Sequence, residues 1–247
     1  MDDFTLITVA GAFLLGGLVK GVLGLGLPLT SVAVMSSVLD LRIAVPLVVI
    51  PITVTNFFQA IRGGNMRAIL RRYWAMLTAS AIGVWAGTYA FYRVDTSFLL
   101  IALGLVVCTY TLFNLFSVRI RLSEATIPIW SPVIGAFSGV LSGTTGSLGV
   151  PIAIYLQALG LSKEMFVQAV GIQFLITGSM WMVALIEQGG LNLSNLPVSA
   201  MALIPAIAGM AAGAWLRQRM PEEQFRTALF VLLLLVGLNL IRKGFLG

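Results

Sequence analysis

Gly139-Val140-Leu141-Ser142-Gly143-Thr144-Thr145-Gly146-Ser147-Leu148-Gly149-Val150-Pro151 interrupts a long apolar run with glycine, hydroxyl and proline residues. A helix does not run easily through it, because glycine weakens helices and Pro151 has no N–H to donate. The same signature stands near the N-terminus, in Gly17-Leu18-Val19-Lys20-Gly21-Val22-Leu23-Gly24-Leu25-Gly26-Leu27-Pro28. Both copies read Gly, three residues, Gly, a glycine-rich break, then Gly-x-Pro and another apolar run. The pair reads as two broken helices whose exposed backbone makes a binding site.

The surrounding composition sets the solvent. Of 247 residues, 59% are hydrophobic and 10% charged, against about 25% charged in soluble domains. Such a chain cannot cover a soluble surface, and its apolar segments of about 20 residues point to membrane helices rather than barrel strands of period 2. There is no His, and the one Cys, Cys108, lies in an apolar run. Disulfides, Cys/His metal sites and histidine acid–base chemistry are thereby excluded, and no cofactor is expected. The net charge of +6 sits in short loops, where membrane topology accounts for it, so no nucleic-acid partner is implied. The start Met1-Asp2-Asp3 lacks the basic residues of a cleaved signal peptide.

Outward from the two breaks, the chain divides into matching halves, 1–122 and 123–247. Each opens with a broken segment (4–39 and 125–160) and continues with three spans: 43–61, 73–92 and 98–118, then 165–186, 198–216 and 228–241. Gly17 and Gly21 echo Gly139 and Gly143, Pro28 echoes Pro151, Gly83-x-x-x-Gly87 echoes Gly209-x-x-x-Gly213, and Asn114 echoes Asn239. A duplicated bundle, common among transporters, is the simplest reading.

Basic residues decide how the broken segments lie. If each crosses the bilayer once, the loop arginines and lysines divide six to six between the two sides. If each folds back as a hairpin, Arg62, Arg67, Arg71, Arg72, Arg119, Arg121, Lys163, Arg217, Arg219 and Arg226 gather on one side against Arg42, Arg93, Arg242 and Lys243. Hairpins are therefore expected. Both termini then lie outside, and an odd number of spans per half inverts the second repeat. The expected fold is an all-α polytopic membrane protein of two inverted repeats, each a broken-helix hairpin plus three transmembrane helices. The count is the same whether the hairpins cross fully or stop midway; their short arms favour stopping.

Irregular backbone at membrane depth is tolerated only inside protein or beside a watery cavity. Pro28 and Pro151 suit the first turn of a helix, whose free N–H groups and positive dipole end would face the tip. Gly24, Gly26, Gly146 and Gly149 allow close approach to backbone; Ser142, Thr144, Thr145 and Ser147 add hydroxyls; Lys20 adds a positive charge. Together these favour a small anion. The plainer alternatives are helix packing for the glycines and snorkelling to the interface for Lys20. Among polar residues inside spans, Asn56, Gln59 and Gln173 are candidate site members, since their spans follow the hairpins, although such residues also glue helices together. The two Gly-x-x-x-Gly pairs at 83/87 and 209/213 read as packing motifs, and Glu187 is the one acidic residue placed to carry a coupling proton.

The two glycine breaks, the loop Arg62-Gly63-Gly64-Asn65-Met66 and the pairs Gly83/Gly87 and Gly209/Gly213 resemble the TauE/SafE family of sulfite exporters, also called the toluene-sulfonate uptake permease family. The similarity covers essentially the whole chain. It implies a bacterial inner-membrane carrier for sulfite or organosulfonates, not an enzyme, with the anion held between the two glycine-rich tips and one repeat moving against the other. The partners expected are a small anionic substrate and the lipid bilayer, with a homodimer as the assembly considered. An anion channel, or an intramembrane enzyme pairing Ser or Thr with Lys20, would be the competing functions.

The charge count makes a direct prediction. Alkaline phosphatase fused after Gly247 is expected to be active and a fluorescent protein fused there dark; the opposite pair of signals would overturn the external C-terminus.

Overall fold

The computed structural model describes residues 3–116, 120–147, 149–191, 195–219 and 222–246, with backbone alone at 222–226. The last two residues of the 98–118 span, Arg119 and the Arg226 side chain lie outside the described residues. Among the described residues the chain is all-helical, without strands. Twelve α-helices follow in order: α1 (Asp3–Leu23), α2 (Leu27–Val38), α3 (Leu41–Leu47), α4 (Val49–Ile61), α5 (Met66–Phe91), α6 (Thr96–Leu115), α7 (Ile127–Thr145), α8 (Val150–Ala158), α9 (Lys163–Glu187), α10 (Leu196–Met201), α11 (Leu203–Arg219) and α12 (Glu222–Leu246). Among the described residues seven stretches are long and apolar enough to cross a membrane: α1, α3 with α4, α6, α7 with the turn before it, α9, α10 with α11, and most of α12. At 26 residues α5 is also long enough, but it is less apolar than those seven.

The helix boundaries have local causes. Asp40 caps α3 by accepting from the Arg42 amide at 2.7 Å, and Ser162 caps α9 by accepting from the Met165 amide at 3.3 Å. The stretch 62–72, expected as a loop, is loop only over 62–65; Arg67, Arg71 and Arg72 ride on the first turns of α5, where arginine, alanine and leucine are good helix formers. The 43–61 span divides between Leu47 and Val49, because Pro51 cannot donate to the Leu47 carbonyl. The Ser199 hydroxyl donates to that carbonyl instead, at 2.8 Å.

The chain forms two compact units, each drawing helices from both halves of the sequence. The first comprises residues 1–51, 94–118 and 192–247. In it α2 returns along α1: the Ser31 hydroxyl donates to the Ala12 carbonyl at 3.2 Å, and Gly16 and Gly26 sit against Leu27 and Val19. Beside them α1 and α11 run parallel in backbone contact. A Cβ on Gly17 or Gly21 would overlap the carbonyls of Ala206 or Met210, and one on Gly209 or Gly213 those of Leu14 or Leu18. α6 and α12 run antiparallel, with Gly104 against Gly237 and Gly244 against Ser97 and Ile101.

The second unit comprises residues 52–93 and 119–191. Here α8 returns along α7, tied by a 3.0 Å hydrogen bond between the Ser131 and Tyr155 hydroxyls. α5 and α7 run parallel through a second glycine seam: Gly83 and Gly87 meet the carbonyls of Ala136 and Val140, and Gly135, Gly139 and Gly143 meet those of Met76, Ser80 and Val84. α4 and α9 run antiparallel, with Gly171 against Gln59 and Ala60 and Gly178 against Ile52 and Thr53. At 12 and 9 residues, α2 and α8 are about 18 and 14 Å long, well short of a hydrocarbon layer of about 30 Å. Large apolar side chains such as Ile7, Trp74, Ile82, Phe98 and Ile129 stay exposed on the outer faces, as a bilayer environment requires.

The seams set a stability prediction. Gly213→Ala drives a methyl into the Leu18 carbonyl and is expected to cost roughly 1–3 kcal/mol. Gly11→Ala, whose new methyl meets nothing within 4 Å, is expected to be neutral or slightly stabilising. Thermal unfolding of the detergent-solubilised protein ranks the two.

Candidate functional site

Two helix starts share one construction. At the first, Gly24 (φ 81°) and Gly26 (φ 104°) take left-handed backbone between α1 and α2. Gly26 precedes the first residue of α2, no side chain caps the helix, and Pro28 is its second residue. A Cβ on Gly26 would come within 2.8 Å of the Val19 side chain, so both backbone and space demand glycine. The first bond within the helix runs from the Thr30 amide to the Gly26 carbonyl at 2.9 Å, which leaves the amides of Leu27 and Leu29 without a carbonyl in their own helix. Leu27 and Leu29 are fully buried. The hydroxyl of Thr30, also buried in this first turn, has no hydrogen-bond partner. Lys20 lies one turn earlier on α1, where its carbonyl accepts from the Gly24 amide; its side chain is only 4% exposed, so it does not reach the surface.

At the second start, Gly146 (φ 69°) ends α7 and Gly149 (φ 72°) precedes α8. Again no side chain caps the helix and proline, Pro151, is its second residue. A Cβ on Gly149 would strike the Phe174 ring. The Ala153 amide closes the first turn on the Gly149 carbonyl at 2.8 Å, leaving the amides of Val150 and Ile152 in the position of Leu27 and Leu29. The hydroxyls here are knotted among themselves. Ser142 donates to the Ser138 carbonyl and accepts from the Gly149 amide at 3.2 Å. Thr145 donates to the Leu141 carbonyl, accepts from the Ser147 amide at 3.3 Å, and shares a hydrogen with the Ser147 hydroxyl. Thr144, half-buried, bonds to the carbonyls of Val140 and Leu141. The hydroxyl hydrogens of Ser142, Thr144 and Thr145 thus go to helix carbonyls. Their work is to fix the tip, and the donors left at this start are backbone amides. Among the described residues no group of His, Cys, Asp and Glu side chains is placed to hold a metal.

The sulfite exporter TauE/SafE family model matches residues 9–240. The chain belongs to the TauE/SafE family. It is therefore a multi-pass membrane protein of a transporter family, and both glycine breaks, at 17–28 and 139–151, fall inside the matched region. No curated protein and no solved structure matches it.

The remaining candidate residues of this TauE/SafE chain lie on helix faces of the second unit rather than at its glycine tip. Gln59 donates to the Val167 carbonyl at 2.7 Å, joining α4 to α9. Gln173 donates to the hydroxyls of Ser80 at 2.9 Å and Thr177 at 2.6 Å, a buried polar knot between α5 and α9. Asn56, fully buried, donates to the Ile52 carbonyl at 2.8 Å. Lys20, Gly24 and Gly26 come together at the first helix start, and Ser142, Thr144, Thr145, Gly146, Ser147 and Gly149 at the second. Thr30 escaped the sequence reading; its signal was a threonine within the first turn after Gly-x-Pro. Gln168, another polar residue inside a span for which helix glue is the plainer reading, donates to the Ala60 carbonyl and accepts from the Asn65 amide, each at 2.9 Å.

The knot makes a contrast that thermal unfolding can check. Ser142→Ala strips a buried acceptor from the Gly149 amide and is expected to destabilise by about 1–3 kcal/mol. Thr144→Val removes bonds only to its own helix and is expected to stay within about 0.5 kcal/mol of the parent.

Proposed function

We propose that this chain is a secondary transporter that moves a small sulfur-containing anion, sulfite or an organosulfonate, across the bacterial inner membrane, with the anion docking on amide groups at an uncapped start of a glycine-broken helix. The observation that carries the reading is the repeated, buried, uncapped helix start. Free amides and a positive dipole end inside an apolar protein suit an anion and nothing cationic. The orphan Thr30 hydroxyl and the buried Lys20 side chain in the same first unit add to it. The family match supplies the sulfur chemistry.

An inverted relation between the halves is part of the proposal. It is supported by the antiparallel packing of equivalent helices, α4 with α9 and α6 with α12. An inside face rich in arginine agrees with the local roles of the basic residues assigned to the other face. Arg42 donates to the Val94 carbonyl at 3.3 Å, Arg93 lies over the Tyr89 ring at 3.3 Å, and Lys243 donates to the carbonyls of Ser36 and Leu39 at the end of α2. On this reading transport is driven by an ion gradient or the membrane potential.

The test is flux in proteoliposomes loaded with sulfite or sulfoacetate, alongside thermal shifts with the same anions. The parent is expected to give saturable flux and a shift with at least one of them, and Lys20→Gln to weaken that anion's apparent affinity about tenfold or more. Parent flux and shift indistinguishable from empty liposomes and buffer would overturn the substrate class. Unchanged affinity in Lys20→Gln would remove Lys20 from the site, and unitary currents in a planar bilayer would make the protein a channel.

A further inference from the structure

A basic cavity lies in the second unit, and none of its residues belongs to the glycine tips. Where α4 ends at Ile61 and α5 begins at Met66, an open cavity of about 620 Å³ is lined by Gly64, Asn65, Arg67, Ala68 and Arg71. Its wall is held by hydrogen bonds. The buried Gln168 amide accepts from the Asn65 amide and donates to the Ala60 carbonyl, each at 2.9 Å, while the Asn65 side chain donates to the Gly63 carbonyl at 2.8 Å. Gly63 has φ 113°, and a Cβ there would come within 2.8 Å of the Gln168 oxygen. Gly64, next to it, faces open space.

The cavity's chemistry is two-sided. Arg67 and Arg71 stand one turn apart on the same face of α5, both exposed. Among the described residues neither is ion-paired; the acidic Glu124 pairs instead with Arg72. Beside this basic stripe runs an apolar one, Met66 and Leu70 at 38% and 39% exposed, continued by Trp74 at 65% past a bend in the helix at Tyr73. The α4 span ends at the loop with Phe57, Phe58 and Ile61 also exposed. A cationic cavity at the end of a membrane span, on a helix that also exposes Met66, Leu70 and Trp74, matches a molecule with an anionic head and acyl tails. A small soluble anion would leave the apolar stripe unused. We infer that Arg67 and Arg71, on a loop stapled by Gln168, bind the phosphodiester headgroup of an anionic phospholipid whose acyl chains lie along Met66, Leu70 and Trp74.

The test uses the full-length protein in detergent, with phosphatidylglycerol, phosphatidylcholine of the same acyl chains, and inorganic phosphate as probes, read by native mass spectrometry. Phosphatidylglycerol is expected to be retained by the parent, phosphatidylcholine far less, and inorganic phosphate not to displace it. Each basic side chain near a headgroup is worth about fivefold, so the double variant Arg67→Gln, Arg71→Gln is expected to bind phosphatidylglycerol about thirtyfold more weakly. The equally charge-reduced control Arg217→Gln, Arg219→Gln is expected to stay within about threefold of the parent. Equal weakening in both pairs would reduce the effect to net charge and overturn the site. Equal retention of the two lipids would overturn the headgroup, and displacement by inorganic phosphate would make it a soluble-anion site. Should the double variant not fold, the parent decides: bromine-labelled phosphatidylglycerol is expected to quench tryptophan fluorescence more than bromine-labelled phosphatidylcholine, and Trp74→Phe to abolish the excess. Absence of that excess in the parent refutes the proposal.

Discussion

Backbone against backbone is the contact on which this protein rests. In a bilayer, lipid tails are as apolar as leucine, so burying leucine drives little helix association, and packing must come from close approach. The Gly-x-x-x-Gly seams supply it twice, between α1 and α11 and between α5 and α7, at positions where any Cβ would meet a carbonyl. Each seam joins the first helix of one half of the sequence to a later helix of the other. The two compact units therefore each contain pieces of both halves, and neither half forms a compact unit by itself.

Rigid seams permit broken helices nearby. A helix that stops inside an apolar protein exposes carbonyls at its end and amides at the next start, and each needs a partner or a ligand. At the α7 end the Gly146 amide bonds to the Ser142 carbonyl, and the Ser142 hydroxyl takes the Gly149 amide, so the turn is closed by its own hydroxyls. The α8 start beyond it has no such cap, and neither has the α2 start. Polarity is thus sorted along a few residues: oxygen atoms are spent on the turn, and N–H groups are left at the helix starts. That sorting is what favours an anion.

Side-chain amides do a different task. Gln59, Gln168 and Gln173 each bind across a helix boundary of the second unit, to a carbonyl, an amide or a hydroxyl. Such bonds are worth about 1 kcal/mol apiece in a membrane, enough to fix which face of α9 meets α4 and α5 but not to hold the unit together. Gln168 also shapes the loop after α4, so one buried side chain sets both a helix contact and the wall of a surface cavity.

Composition and breaks alone determined that this is an all-helical membrane protein, where its helices are interrupted, and which family it resembles. Apolar length is a local property, and a glycine-rich stretch closing on Gly-x-Pro breaks a helix through its own backbone preferences. The same local signals placed Pro28 and Pro151 in the first turns of helices. They misjudged 62–72, where charge suggested a loop and helix propensity made two turns of α5. What only the tertiary structure decided is partnership. Gly17 and Gly21 look like part of a binding break until Gly209 and Gly213 are seen facing them, and the hydroxyls of Ser142 and Thr145 look like ligand donors until their hydrogens are traced to carbonyls. A glycine or a hydroxyl carries no mark of what it faces. That depends on contacts between residues far apart in the chain, which periodicity and spacing do not encode.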